Sequence, residues 1–197
     1  HNRISLTEAG QRVYEYADRI FDLYAEMENA VRDMTGEISG MLVIGASSTI
    51  AEYMLPSLMV DFKKQYPDIN VHLKESNSDC IVSMVENNDI DLGEVESPVM
   101  NKNLVVEECR KDLLVAIVPP VHSLVAEESF KIRDLLENAS IAREEGSGTR
   151  EVIQEYLAEL GMQPSDVHIS MELGSPEAIK GAVEAGMGVS IVSEVTI

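Results

Sequence analysis

The chain states nearly the same pattern twice, about a hundred residues apart, and that repetition limits what it can fold into. An apolar run, Met41-Leu-Val-Ile-Gly-Ala46, leads into Ser47-Ser48-Thr49 and a helix-like segment; Ser140-Ile-Ala-Arg-Glu-Glu145 leads into Gly146-Ser147-Gly148-Thr149 and another. The stretch Val71 to Ile81, followed by Ile90 to Val95, is echoed by Val167 to Glu177 and Val189 to Val192. Two such halves predict two similar lobes with a cleft between them. In each, a hydroxyl-rich turn opens a helix whose first N–H groups have no intrahelical partner, a natural seat for a small polar or anionic ligand.

The first 36 residues follow a different rule. Val13, Ala17, Ile20, Tyr24, Met27, Val31 and Met34 alternate spacings of four and three, the seam of a coiled coil. A capping box, Ser5-x-x-Glu8, is expected to start this helix and Thr35-Gly36 to end it. An amphipathic helix lying on its own domain is the alternative; the regular seam on an N-terminal arm favours pairing with another chain.

From Gly36 on, strands expected at 41–46, 70–74 and 90–95 alternate with helices at 50–66 and 79–87, which implies a mostly parallel sheet with right-handed crossovers. Shorter strands are expected near 104–106 and 113–118, and Pro119-Pro120 then marks a boundary. The second half adds a short helix near 132–137, a helix over 150–160 with Gly161 past its end, and Ser175-Pro176 as N-cap and first residue of a helix ending near Ala185. The resulting organisation is a linker and dimerisation helix, 1–36; lobe I, 37–118; and lobe II, 119–197.

Acidic residues outnumber basic ones 35 to 15, for a formal charge of −20, so this stretch is not expected to grip nucleic-acid phosphates itself. No apolar run is long enough to span a membrane, and polar His1-Asn2-Arg3 stands where a signal peptide would begin, so a cytoplasmic location is the expectation. Cys80 and Cys109 are too few and too far apart for a disulfide framework or a zinc site, and His72 and His168 lack ligand-spaced partners. No metal or cofactor is expected.

Several motifs, in order, resemble the LysR-type transcriptional regulators: Ile4-Ser-Leu-Thr-Glu-Ala-Gly10 before a long helix, Gly40-x-Leu-x-Ile-Gly45, Tyr53-x-Leu-Pro56, Phe62-x-x-x-Tyr-Pro67, Asp91-Leu-Gly93, Gly146-Ser-Gly-Thr-Arg150 and Glu184-Ala-Gly-Met-Gly188. The resemblance implies an α/β fold of two similar lobes like the type 2 periplasmic binding proteins, preceded by a linker helix and a winged helix-turn-helix. By that resemblance the chain is a fragment, lacking the DNA-binding domain before it and a C-terminal return to lobe I. The implied partners are a small-molecule effector, further copies of the chain as homodimer or homotetramer, and DNA through the N-terminal domain.

The effector-binding candidates are Ser47, Ser48 and Thr49 at the first turn, Ser147, Gly148 and Thr149 at the mirrored turn, and Glu96 with Ser97 at the carboxyl end of a strand, where open α/β sheets bind ligands. Helix capping is the alternative role for the hydroxyls, and an exposed loop position for Glu96. Asn77, Ser78 and Ser175 are secondary candidates. Glu96 in a cleft would favour a ligand bearing an amine or need a neighbour such as Arg143; a zwitterion and a small inorganic anion are both admissible. Arg150 is either an anion partner or a solvated helix-start residue. Cys80 reads as a half-buried structural thiol, and Glu94 interrupts an apolar strand at an edge or lobe interface. No catalytic constellation is present: the Gly-Ser-Gly-Thr turn lacks the Lys of a phosphate loop and the framing of a nucleophile elbow. The alternatives to a regulator are a solute-binding protein of the same architecture and an enzyme on the same scaffold.

Overall fold

A computed structural model describes residues 6–35 and 38–197. The chain divides into two compact units, residues 1–41 with 63–70 and residues 42–62 with 71–197.

In the first unit, α1 is one 28-residue helix, Glu8–Thr35. Its start is set by Thr7, whose hydroxyl accepts from the Gly10 N–H at 3.1 Å and whose carbonyl accepts from the Gln11 N–H at 2.8 Å. Thr7 therefore caps the helix; Ser5 of the expected capping box lies outside the described residues, as do Gly36 and the side chain of Met34. Val13, Ile20, Tyr24, Met27 and Val31 are all more than half exposed, and Ala17 is intermediate.

In the second unit, β1 (Gly40–Ser47) is the centre of a three-stranded sheet, between β2 (Ile69–Ser76) and β3 (Leu92–Glu94). β1 and β3 run parallel, with Ala46 opposite Glu94. The chain leaves β1 through a π-helical turn, Ile50–Met54, before α2, Leu55–Gln65. Pro56 has no N–H to offer the carbonyl four residues back, and the Leu55 N–H instead reaches the Ile50 carbonyl, one residue further than in an α-helix. Ile44, Ala46, Ile50, Ala51 and Leu55 form the apolar core here. α3, Ser78–Glu86, returns towards β3.

The second half builds around β5 (Ser140–Arg143), parallel to β6 (Ile169–Leu173), with α5 (Gly148–Glu159) and α6 (Pro176–Glu184) as the crossovers. The short α4, Ile132–Leu136, precedes β5, and Gly161, at φ +73°, ends α5 as the sequence predicts. Ile141, Ile179, Ala182, Val183 and Val192 are its buried core. β7 (Ser190–Ser193) joins β5 through one parallel bridge, Ser140 to Val189, and pairs antiparallel with β4 (Leu114–Ile117). β4, grouped by sequence with the first lobe, is thus bonded to the last strand of the second. No strand forms at 104–106.

The fold is α/β with parallel strand pairs. None of the described helices is long and apolar enough to cross a membrane.

Candidate functional site

Parallel strands place their carboxyl ends side by side, and at the end of β1 the chain carries three buried hydroxyls in a row. Ser47, Ser48 and Thr49 are 2, 6 and 2 % exposed. A capping role does not account for them. Thr49 makes no side-chain bond at the head of the π-helical turn, and the Ser47 hydroxyl is buried with no hydrogen-bond partner.

The mirrored turn behaves the same way. Ser147 is the N-cap of α5, yet its hydroxyl caps nothing and is also buried without a partner. Leaving a buried polar group unpaired costs about 1–3 kcal/mol, so two such hydroxyls at equivalent turns are sites that something else must satisfy.

Glu96 reaches the mirrored turn from the strand beside β1. It follows β3, whose neighbour β1 ends in Ser47, and its Oε1 accepts from the Thr149 hydroxyl at 3.2 Å. Its Oε2 is buried and unpartnered. The cation suggested for it is engaged elsewhere: Arg143, 5 % exposed, forms a two-point pair with Glu144 at 2.9 and 3.1 Å. Arg150 is not a free anion ligand either, since one terminal nitrogen donates both to the Arg143 carbonyl at 2.8 Å and to Glu172 at 2.6 Å.

The rim of the site is stitched by the head of α3. Ser78 accepts from the Gly148 N–H at 3.1 Å, the Asn77 amide donates to the Glu145 carbonyl at 3.2 Å, and the Asp79 N–H donates to the Gly146 carbonyl at 3.2 Å. Asn77 also caps α3 through the Cys80 N–H. Ser78 and Asn77 are therefore spent on joining the head of α3 to the turn before α5. Glycine is required at both contacting positions: Gly146 sits at φ +80°, and a Cβ on Gly148 would lie 2.7 Å from Ser78 Oγ and 2.9 Å from the Ser97 nitrogen. Beside this rim opens a polar hollow of about 180 Å³ bordered by Asp79, Glu145, Ser147 and Arg150. Ser175, expected as a capping residue, heads α6 without a side-chain cap bond. Cys80 is exposed rather than half-buried.

A cluster not anticipated from sequence lies on another rim. The Tyr53 hydroxyl, on the π-helical turn after β1, donates to Glu177 in the first turn of α6. Lys180 bonds Glu177 at 2.7 Å, donates to the Thr196 carbonyl at 2.5 Å and lies 5.0 Å from the Tyr53 ring centre. Burial, then the bond to Glu177, pushes the Tyr53 phenol up, while the Lys180 and Tyr53 bonds pull Glu177 down. Burial pushes the Glu94 carboxyl up, on the edge strand β3. Among the described residues no group of three or more His, Cys, Asp or Glu side chains is arranged to hold a metal ion.

The model of the LysR substrate binding domain matches residues 35–197. The chain belongs to that family. It is 34 % identical over 195 residues to the RuBisCO operon transcriptional regulator of Allochromatium vinosum, covering 99 % of this chain and 63 % of that protein. It is also 34 % identical over 191 residues to the HTH-type transcriptional activator CmpR of Synechocystis, covering 97 % of this chain and 62 % of CmpR. The chain thus spans less than two thirds of the length of these relatives. Among solved structures, the Synechocystis CcmR regulatory domain in complex with 2-PG superposes with a TM-score of 0.72 at 35 % identity, over 80 % of this chain and 74 % of that one. In this family the fold is that of the type 2 periplasmic binding proteins, as the motifs imply.

Proposed function

We propose that the chain is the effector-sensing and subunit-pairing region of a LysR-type DNA-binding regulator. In this reading residues 37–118 and 119–197 are two lobes, and a small-molecule effector sits between them against Ser47, Ser48, Thr49, Glu96, Ser97, Ser147, Gly148 and Thr149. The observation that carries it is the trio of buried, unpartnered atoms Ser47 Oγ at the end of β1, Glu96 Oε2 just after the neighbouring β3, and Ser147 Oγ in the turn whose Thr149 donates to Glu96. A ligand there satisfies all three. The α5 N-terminus and the hydroxyls favour an acidic group, and Glu96 Oε2 calls for a hydrogen-bond donor on the same molecule, so a small hydroxy acid or zwitterion fits better than a bare inorganic anion.

The exposed apolar residues of α1 support its role as the pairing helix, as homodimer or homotetramer, since an unburied apolar seam is costly in water. The net charge of −20 leaves DNA contact to a segment outside this chain. The effector acts on DNA binding only through its differential affinity for two arrangements of the regulator, typically about 1–3 kcal/mol.

The test is a footprint of the full-length regulator with and without effector, beside the same assay on residues 1–197. The full-length protein binds DNA in a salt-sensitive manner with an effector-dependent footprint, and the fragment does not bind. Ile20→Asp with Met27→Asp yields monomers by light scattering. Specific DNA binding by the fragment, or unchanged mass in the folded double variant, contradicts this reading.

A further inference from the structure

Within the second half, a cavity of about 120 Å³, open to solvent on one side, lies between β5 and the helices beside it, and shares Arg150 with the polar hollow described above. Its walls are Leu135 and Leu136 of α4, Ile153 and Leu157 of α5, Ile141 and Val189. Close-packed interiors leave few voids larger than a water molecule, and an apolar cavity of this order admits a six-membered ring.

The polar lining is selective. Three buried polar side chains border the cavity: Ser140, Arg143 and Ser190. Arg143 is paired with Glu144, and the Ser190 hydroxyl donates to the Ile141 carbonyl at 2.7 Å. Ser140, 7 % exposed, has a buried hydroxyl with no partner. Arg150, whose Nη1 is held by the Arg143 carbonyl and Glu172, and the exposed Gln154 also line it. With the Ser140 hydroxyl as its one unspent buried polar group, the lining is complementary to an apolar ring carrying one hydrogen-bonding group.

We propose that this cavity is a second ligand site, which takes a small cyclic molecule of phenol-like chemistry, its ring against Leu135, Ile153 and Leu157 and its polar atom on Ser140 Oγ. The site differs from the effector cleft in its lining, although α5 borders both, with Thr149 in its first turn, Ile153 and Leu157 on the cavity, and Arg150 and Gln154 shared between the cavity and the polar hollow.

The experiment is calorimetry of the intact chain with phenol and with benzene. Wild type binds both saturably, phenol about two- to tenfold more tightly, as one neutral hydrogen bond allows. Ser140→Ala keeps benzene binding and loses the preference for phenol. Ile153→Phe fills the cavity, keeps the fold by circular dichroism and abolishes both. Ser47→Ala leaves both unchanged, which separates this site from the cleft. Absence of saturable binding to wild type, which is the result for a cavity holding only water, overturns the proposal. So does a phenol preference that survives in Ser140→Ala.

Discussion

Gly148→Ala separates the contact of the α5 turn with Ser78 and Ser97 from ordinary helix chemistry. Gly148 opens α5 without a positive φ, so by local propensity an alanine there is neutral or better, by up to about 1 kcal/mol. The structure predicts the opposite sign. The new Cβ would stand 2.7 Å from Ser78 Oγ and 2.9 Å from the Ser97 backbone nitrogen, closer than such atoms approach. Ser78 can rotate away, but doing so gives up the bond it accepts from the Gly148 N–H; Ser97 is backbone and must move with its strand end. Overpacking costs about 1–3 kcal/mol and the lost bond about 1 kcal/mol. After subtracting the helix gain, the net loss is about 1–3 kcal/mol, or roughly 2–12 °C in Tm for a chain of this size. Thermal and urea unfolding of wild type, Gly148→Ala, and Gly148→Ala with Ser78→Gly measure it. The double variant recovers only part, because the Ser97 contact remains. An unchanged or raised Tm in Gly148→Ala refutes the close approach of the α5 turn to Ser78 and Ser97.

Two further outcomes test the electrostatics. Burial raises Glu94 above its ordinary value of 4.5, so the folded state holds its proton more tightly than the unfolded state does. That contribution opposes folding above the raised value and fades as pH falls through it towards 4.5; Glu94→Gln therefore raises Tm at pH 7, and the difference shrinks as pH is lowered into that range. Tyr53 ionises above 10.0, followed by NMR of labelled tyrosine, and Glu177→Gln moves it only part of the way back because burial is the larger cause.

Much of the element order is legible in the sequence because it rests on local periodicity and punctuation. The runs at 41–46 and 70–74 become β1 and β2, and the segments at 79–87 and 150–160 become α3 and α5 to within two residues. What the sequence does not carry is which distant groups meet. Leu114–Ile117 reads as a strand, but its antiparallel partner is Ser190–Ser193, a choice made by the sheet rather than by either segment. The hydroxyls at 47 and 147 are recognisable as turn residues, yet the sequence does not show that they are buried without a partner or that Ser147 makes no cap bond. Arg143 looked suited to neutralise Glu96, but Glu144, its chain neighbour, holds it first. Glu177 and Lys180 stand at the i,i+3 spacing of a helical ion pair, but Tyr53 lies 124 residues before Glu177, and no spacing rule brings it to them.

The effector cleft itself is tested most directly by titrating wild type and the Ser47→Ala, Ser147→Ala double variant with the same ligand. That ligand is chosen by thermal shift from a panel of small hydroxy acids and amino acids, with 2-PG as comparator; a ligand present at 100 times its Kd adds about 2.7 kcal/mol of stability. The double variant keeps wild-type stability without ligand, since neither hydroxyl has a partner to lose. Its affinity falls by about 1–3 kcal/mol, roughly 5- to 150-fold, for the two lost hydrogen bonds. Equal affinity in wild type and double variant, or a panel without one stabilising member, contradicts a ligand held between these two turns.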